Sequence, residues 1–279
     1  MKKLFFFLFF ISIFIFAFSQ NNGGKKEKPQ LTERQKEELA LLQKIKLVEG
    51  DPAKKVPLLE EFCKKFSDSQ FIGWAHYQAI FAYQRLNRFK DMERHALIFM
   101  KMYPQEPSIP TLLTYGYTEN GEYKKALNLG ERTLKLLNSL KRPQNVPESK
   151  WNKNVNNLKA ILFSSLGEVY FYLSEKNKDK KKLKDSENYF LKALKLNPRD
   201  DITNYRLGEL YYLDGKLKKA EKYLSNGAVL GGKISENSKK SLIEVLKKEN
   251  REKYLDRVLE EARKRMGVQV GEGKISKDF

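Results

Sequence analysis

The stretch LGELYYLDGKLKKA, residues 207–220, decides the fold of this chain, because its pattern of small and large apolar residues recurs along the sequence. Tyr83 and Tyr117 lie 34 residues apart, and the same step relates Phe190 to Leu224. A fixed period in this range is typical of stacked-repeat architectures, in which each unit buries its apolar face only against its neighbours. The sequence therefore predicts an array of repeats, an architecture that usually serves to hold other molecules.

Four units share this register, and we expect each to be a pair of helices. They span residues 73–106, 107–140, 160–200 and 201–234, with residues 141–159 inserted between the second and the third. Helical spacing continues backward from the third unit through Trp151 and Leu158, which predicts a long first helix from about Pro147 to Glu175. The seven additional residues of this unit fall in the lysine-rich stretch 176–184, which we interpret as a solvated loop between its two helices.

The segments before and after the array also have sequence patterns that predict helices. Thr32 is a typical helix cap, and residues 31–72 predict a degenerate N-terminal helix pair. Residues 235–266 predict two C-terminal capping helices, and residues 267–279 a disordered tail. Because no segment alternates in the way a strand does, we expect an all-α protein.

The N-terminus has the pattern of a secretory signal peptide. Lys2 and Lys3 precede an apolar run, residues 4–18, that is interrupted only by Ser12 and is short for a membrane span. We expect cleavage after Ser19, a flexible linker over residues 20–30, and an exported protein in the periplasm or the secreted fraction. An uncleaved membrane anchor is the alternative interpretation of the same segment.

The formal net charge is +19, and the excess of lysine and arginine is spread along the whole chain. Proteins that bind nucleic acid usually concentrate such charge in one stripe, so we expect no nucleic-acid partner. An even excess suits solubility and weak attraction to an anionic membrane or polymer.

We find no pattern of catalytic or metal-binding residues. Cys63 is the only cysteine, which rules out an intrachain disulfide and a four-cysteine zinc site. His76 and His95, the only histidines, belong to no zinc motif, and the chain lacks a nucleophile elbow and a phosphate-binding loop. We interpret Cys63 as a core residue and the histidines as core or surface residues, and we expect no enzyme activity, no cofactor and no metal.

The repeated pattern resembles the tetratricopeptide repeat (TPR), whose signature is a Leu-Gly pair, a tyrosine, a small alanine and a closing proline at fixed offsets. The fourth unit carries Leu207-Gly208, Tyr211 and Ala220, but Gly232 stands where the proline belongs. The resemblance covers residues 73–234 and implies a right-handed α-solenoid of TPR helical hairpins, with about 10–12 helices. The small residues in the pattern let paired helices approach closely.

The resemblance also implies a site, because the first helix of each TPR pair lines a concave groove that holds peptides or partner domains. The corresponding positions here are rich in aromatic residues, which are enriched at binding hot spots. Packing against the next repeat is the alternative role for each of them. The candidate residues are Trp74, Tyr77, Phe81, Arg85, Tyr115, Glu168, Phe171, Tyr205, Glu209 and Tyr212.

Two narrower resemblances bear on the function. TPR proteins that hold the C-terminal carboxylate of chaperones use Lys and Asn at recurring groove positions. This chain has residues such as Tyr77, Thr111 and Ser164 there, so we expect no carboxylate clamp of that kind. Residues 62–104 loosely resemble the helical lipoproteins of bacterial outer-membrane assembly, but the lipid-attachment cysteine is missing. The hypothesis is therefore a protein-interaction scaffold of the bacterial envelope or secreted fraction. The alternatives are a peripheral binder of anionic membrane or cell-wall polymer and an outer-membrane assembly accessory factor.

Overall fold

The computed structural model describes residues 31–269, and this part of the chain is helical throughout, with twelve α-helices, one 3-10 helix and no strand. The predicted all-α repeat fold is confirmed. The predicted signal peptide (1–19), the linker (20–30) and residues 270–279 of the predicted tail lie outside the described residues.

The described residues divide into two compact units, one that ends at Leu47 and one that begins at Val48. In the first unit, helix α1 spans Glu33–Leu47. Thr32 caps it as predicted: the amide of Gln35 donates to Thr32 Oγ1 at 3.2 Å, and the amide of Thr32 donates back to Gln35 Oε1 at 2.9 Å. This reciprocal pair is a capping box, which satisfies backbone donors that the first turn of a helix leaves free.

The second unit is a stack of helices in which each packs on its neighbours in the sequence. The helices are α2 (Pro52–Lys65), α3 (Ile72–Arg85), α4 (Phe89–Met102), α5 (Ser108–Glu119), α6 (Tyr123–Ser139), α7 (Glu148–Asn177), α8 (Lys180–Leu196), α9 (Asp201–Leu213), α10 (Leu217–Val229), α11 (Ser235–Lys248) and α12 (Leu255–Met266), with a 3-10 turn at Glu252–Tyr254. Four hairpins result: α3–α4, α5–α6, α7–α8 and α9–α10. The second helix of each also contacts the first helix of the next.

Three of these hairpins turn in the same way. The turn residues Asn87, Gly121 and Gly215 have φ of +54°, +70° and +72°. The amide that follows each of them donates to the carbonyl of the repeat tyrosine at 2.8–3.0 Å. Only glycine and, less readily, asparagine adopt such angles at low cost, which explains why these two residue types recur at this position.

Within a hairpin, the two helices approach so closely that only a small residue fits between them. A Cβ atom added to Gly208 would lie 2.6 Å from Leu224 Cγ, and one added to Gly167 would lie 2.6 Å from Phe190 Cδ1. Ala220 is fully buried in the same layer. The predicted structural role of these small residues is confirmed.

Between hairpins, a hydrogen bond recurs that the sequence analysis missed. The hydroxyl of the repeat tyrosine donates to a glutamate on the preceding second helix, where burial and this carboxylate raise the pKa of the tyrosine. Hydrogen bonds to charged partners stabilise more than neutral ones do. The pairs are Tyr83–Glu60, Tyr117–Glu93 at 2.7 Å and Tyr211–Glu187 at 2.7 Å.

The prediction of a loop at Lys176–Lys184 is wrong. Helix α7 continues to Asn177, and α8 begins at Lys180, so only Lys178 and Asp179 connect them. Asp179 caps α8 by accepting from the amides of the second and third residues of the helix at 2.9 and 3.1 Å. Because lysine is a good helix former and aspartate a good cap, the additional residues lengthen both helices.

At the C-terminal end, α11 and α12 both pack against α10 and complete its apolar cluster. Leu242, Val245 and Leu246 are fully buried there, and Val258 joins them. Among residues 31–269, none of the helices combines the length and the apolar character that crossing a bilayer requires.

The close approach in the fourth hairpin gives a test. We expect Gly208→Ala to lower the free energy of unfolding by about 1–3 kcal/mol through overpacking against Leu224. The higher helix propensity of alanine, about 1 kcal/mol over glycine, acts in the opposite direction. Urea denaturation followed by circular dichroism measures this. The matched control is Gly50→Ala, where no atom lies within 4 Å of the added Cβ, and a change within about 0.5 kcal/mol is expected. Equal stability of Gly208→Ala and the unmodified protein would contradict the steric argument.

Candidate functional site

The structure places every predicted groove residue on the first helix of a hairpin. Four lie on α3, one on α5, two on α7 and three on α9. Nine of the ten are half-buried, and Arg85 is exposed. We call the surface that these ten residues form the first-helix face. The helices α5, α7, α9 and α11 lie side by side, so their part of this face is continuous.

On α3, the aromatic residues pack largely within their own hairpin. The ring of Tyr77 lies 4.9 Å from that of Phe81 and 5.7 Å from that of Phe99 on α4. Arg85 donates to the carbonyl of Gly50, which precedes α2, at 3.1 Å. The α3 residues are therefore not brought into one cluster with those of α7 and α9, and Trp74 shares their helix as a half-buried side chain.

A polar cluster at this face joins three hairpins. Arg206 on α9 donates to Glu168 Oε1 on α7 at 2.8 Å. The side chain of Glu168 is only 17% exposed, and burial raises its pKa even though the Arg206 guanidinium opposes that shift. A half-buried ion pair of this kind is sensitive to what covers it, because low dielectric strengthens both its attraction and its desolvation cost.

Tyr115 on α5 lies at the same cluster. Burial, followed by the nearby carboxylates of Glu119, Glu168 and Asp200, raises the pKa of Tyr115 to about 12. The structure thus brings together Tyr115 and Glu168, which were predicted from separate repeats.

Sequence reasoning missed Arg206 and the stacked pair Tyr123–Tyr172, whose ring centroids are 4.0 Å apart. Arg206 corresponds to Ser165 in the third hairpin, 41 residues earlier, so the repeat gave no charged residue at this position.

The α9 part of the face holds two polar atoms without partners. Arg206 Nε and Glu209 Oε1 are shielded from solvent and form no hydrogen bond within the described chain. Such groups are rare in folded proteins because each one costs free energy. They lie three residues apart on one helix, and the Tyr205 ring is 5.7 Å from the Arg206 guanidinium.

Some predicted residues have a clear structural role as well. Phe171, Tyr205 and Tyr212 pack against the buried apolar cluster of the C-terminal half. The Lys248 ammonium lies 4.0 Å from the centre of the Tyr212 ring, a cation–π contact that ties α9 to α11.

A second surface lies between α4 and α6, the second helices of two hairpins. It is a shallow groove lined by Leu97, Met100 and Leu129 beside Lys124 and Arg132. Leu97 is 43% exposed. No residue of the first-helix face lines this groove, so it serves as an internal comparison for binding experiments.

The chain matches no protein-family profile, and no curated protein matches it. Its fold is similar to that of solved structures. PilF of Pseudomonas aeruginosa superposes with a TM-score of 0.51 at 14% identity, over 85% of this chain and 96% of that chain. The assembly chaperone of RpL4 (Acl4) gives 0.51 at 13% identity, over 84% and 92%. A thermophilic TPR protein of Thermus thermophilus gives 0.43 at 19% identity, over 76% and 98%. The superpositions on PilF and Acl4 support the helical-repeat fold.

The Glu168–Arg206 pair gives a pH-dependent prediction. Because the pKa of Glu168 is raised, its ionisation destabilises the folded state as the pH rises above 4.5. Arg206→Met removes the charge that offsets this cost. We expect a loss of about 1–2 kcal/mol in the free energy of unfolding at neutral pH, less than the roughly 3–5 kcal/mol of a fully buried pair, because Arg206 is 35% exposed. The loss should shrink as the pH falls through the pKa of Glu168.

Urea unfolding across a pH series measures this dependence. The control is the double variant Glu168→Gln/Arg206→Met, which has no carboxylate to titrate at this position and should show a pH-independent difference from Glu168→Gln. A loss in Arg206→Met that is the same at every pH would contradict the electrostatic explanation.

Proposed function

We propose that this chain is an exported, non-enzymatic scaffold that binds an extended segment of a partner protein along the first-helix face. The observation that carries the proposal is the pair of unpartnered polar atoms, Arg206 Nε and Glu209 Oε1, on the α9 part of that face. An extended peptide offers alternating backbone acceptors and donors, and a small rearrangement of the two side chains would give each atom a partner.

The aromatic residues of the face supply the second argument. Trp74, Tyr77, Tyr115 and Tyr205 are half-buried, so each ring presents part of its surface while the rest is held by the hairpin. Rings that are fixed in this way lose little entropy on binding, which is one reason that Tyr and Trp are frequent at hot spots.

Export is the third part of the proposal and depends on the N-terminal pattern alone. Two lysines followed by the apolar run of residues 4–18 favour delivery to the periplasm or the medium. Sequencing the N-terminus of protein isolated from fractionated cells tests this, with Gln20 expected as the first residue. An intact Met1 in the membrane fraction would instead indicate an anchor.

One observation favours a second candidate, a peripheral binder of anionic membrane or cell-wall polymer. The lengthened α7–α8 hairpin exposes a cluster of lysines at its end. Attraction of this kind is screened by salt, whereas contacts of half-buried rings are not. The exposed lysines are Lys176, Lys178, Lys180, Lys181 and Lys184.

Binding variants test the first-helix face directly. Peptides selected from a random library against the purified chain would be titrated against Tyr115→Ala, Arg206→Met and the comparison variant Leu97→Ser in the second groove. We expect at least tenfold weaker binding for the first two, because truncating a hot-spot residue costs about 2 kcal/mol or more, and no change for Leu97→Ser.

Circular dichroism would show that each variant remains folded. Loss of binding in Leu97→Ser alone would indicate that the peptide binds in the α4–α6 groove. Loss of all binding when the salt concentration is raised would favour the polymer or membrane alternative.

A further inference from the structure

Three side chains with metal-ligating atoms converge at the N-terminal end of the second unit. Cys63 comes from α2, His76 from α3 and His95 from α4, and their ligand atoms all lie within 4.8 Å of one another. Cys63 Sγ is 3.9 Å from His76 Nδ1, and the Nδ1 atoms of the two imidazoles are 2.8 Å apart. These residues are the only cysteine and the only two histidines of the whole 279-residue chain.

The facing ring nitrogens already present a lone pair to the cluster. Two N–H groups cannot point at each other across 2.8 Å, so at least one Nδ1 is unprotonated. The Nε2 atom of His95 lies 3.0 Å from Glu60 Oε1, and a carboxylate only accepts, so the proton of His95 resides on Nε2. The Nδ1 atom of His95 is then the acceptor and His76 Nδ1–H the donor, so both Nδ1 lone pairs become available to an ion when the proton of His76 moves to its Nε2. A histidine held by a carboxylate through its other nitrogen is the usual arrangement around protein-bound metals.

We propose that Cys63, His76 and His95 bind a transition-metal ion that prefers thiolate and imidazole ligands, with Zn²⁺ as the reference ion. Zn²⁺ takes nitrogen at about 2.0–2.1 Å and sulfur at about 2.3 Å, so a tetrahedral ion places these atoms roughly 3.4–3.6 Å apart. Two of the separations are 2.8 Å and 3.9 Å, and all three ligand atoms lie within 4.8 Å of one another, so they need to move by about one ångström or less. Binding replaces the thiol proton of Cys63, which is released to water, and leaves a fourth position for a water molecule.

The neighbouring side chains are suited to orient such a site. Glu60, which holds His95, also accepts hydrogen bonds from Tyr83 and from Arg94, so its position is fixed by partners on α3 and α4. His95 is fully buried and His76 is buried, while Cys63 is half-buried and offers a path for the ion. A bound ion would join α2, α3 and α4 at one point and stabilise the start of the hairpin stack. This proposal does not depend on the first-helix face.

Cobalt provides the most direct test, because a thiolate bound to Co²⁺ absorbs strongly in the near ultraviolet. The full chain would be prepared without a polyhistidine tag, stripped with chelator, and titrated with Co²⁺ and then Zn²⁺. We expect a thiolate-to-cobalt band that saturates at one ion per chain and is displaced by Zn²⁺. Zn²⁺ should also raise the unfolding midpoint, since a ligand that binds the folded state stabilises it.

Two variants and a control locate the site. Cys63→Ser should abolish the band and the zinc-dependent rise in the midpoint, and Glu60→Gln should weaken zinc binding by about 10–100-fold through the loss of the group that orients His95. Glu244→Gln, an exposed carboxylate on α11, should leave zinc binding unchanged.

The cobalt spectrum of the unmodified chain decides the matter even if a variant fails to fold. Absence of a thiolate band at saturating Co²⁺ would overturn the proposal. Equal zinc affinity and stoichiometry in the unmodified chain and in Cys63→Ser would overturn it as well.

Discussion

The near-contact of two helices within each hairpin is the constraint on which the rest of this structure depends. At Gly167 and Gly208 the partner side chain lies where a Cβ atom would be, so the two backbones come together face to face. A pair packed this closely still has apolar surface on its outer sides and cannot bury it alone. The second helix of each hairpin therefore also covers the first helix of the next, and the Tyr117–Glu93 and Tyr211–Glu187 bonds fix that contact.

In this packing, the first and second helices of the hairpins differ in the neighbours that they contact. The first helices α5, α7, α9 and α11 contact one another side by side, whereas α4, α6 and α8 contact chiefly the first helices next to them. The first-helix face is one side of that row of first helices. Charged and aromatic groups can lie on that side without disturbing the core, and Glu168, Arg206 and Tyr115 meet there from three successive hairpins. The small residues that bring the paired helices together are thus separate from the charged residues that meet on this face.

Much of the fold could be predicted from the sequence, since the period and the small residues depend on contacts that every hairpin repeats. The long first helix of the third unit was predicted within two residues at its end. What failed depends on single positions or on distant residues. The stretch 176–184 was misjudged because its lysines are equally compatible with a loop and with a capped helix. Arg206 and the Cys63–His76–His95 cluster were missed because each group is formed by side chains from different helices, and no repeat marks them.

The lengthened α7–α8 hairpin has a consequence for the array as a whole. Identical modules would let an elongated partner slide from one to the next with little change in energy, and it would occupy several equivalent registers. Here one hairpin extends beyond the pattern of its neighbours, and the helix that begins it starts at Glu148, well ahead of its first fully buried leucine, Leu162, within a segment that no other module has. Because of this irregularity, the registers along the array are no longer equivalent. A partner that bound along the stack as proposed would therefore find one alignment, with its two ends distinguished by the long hairpin.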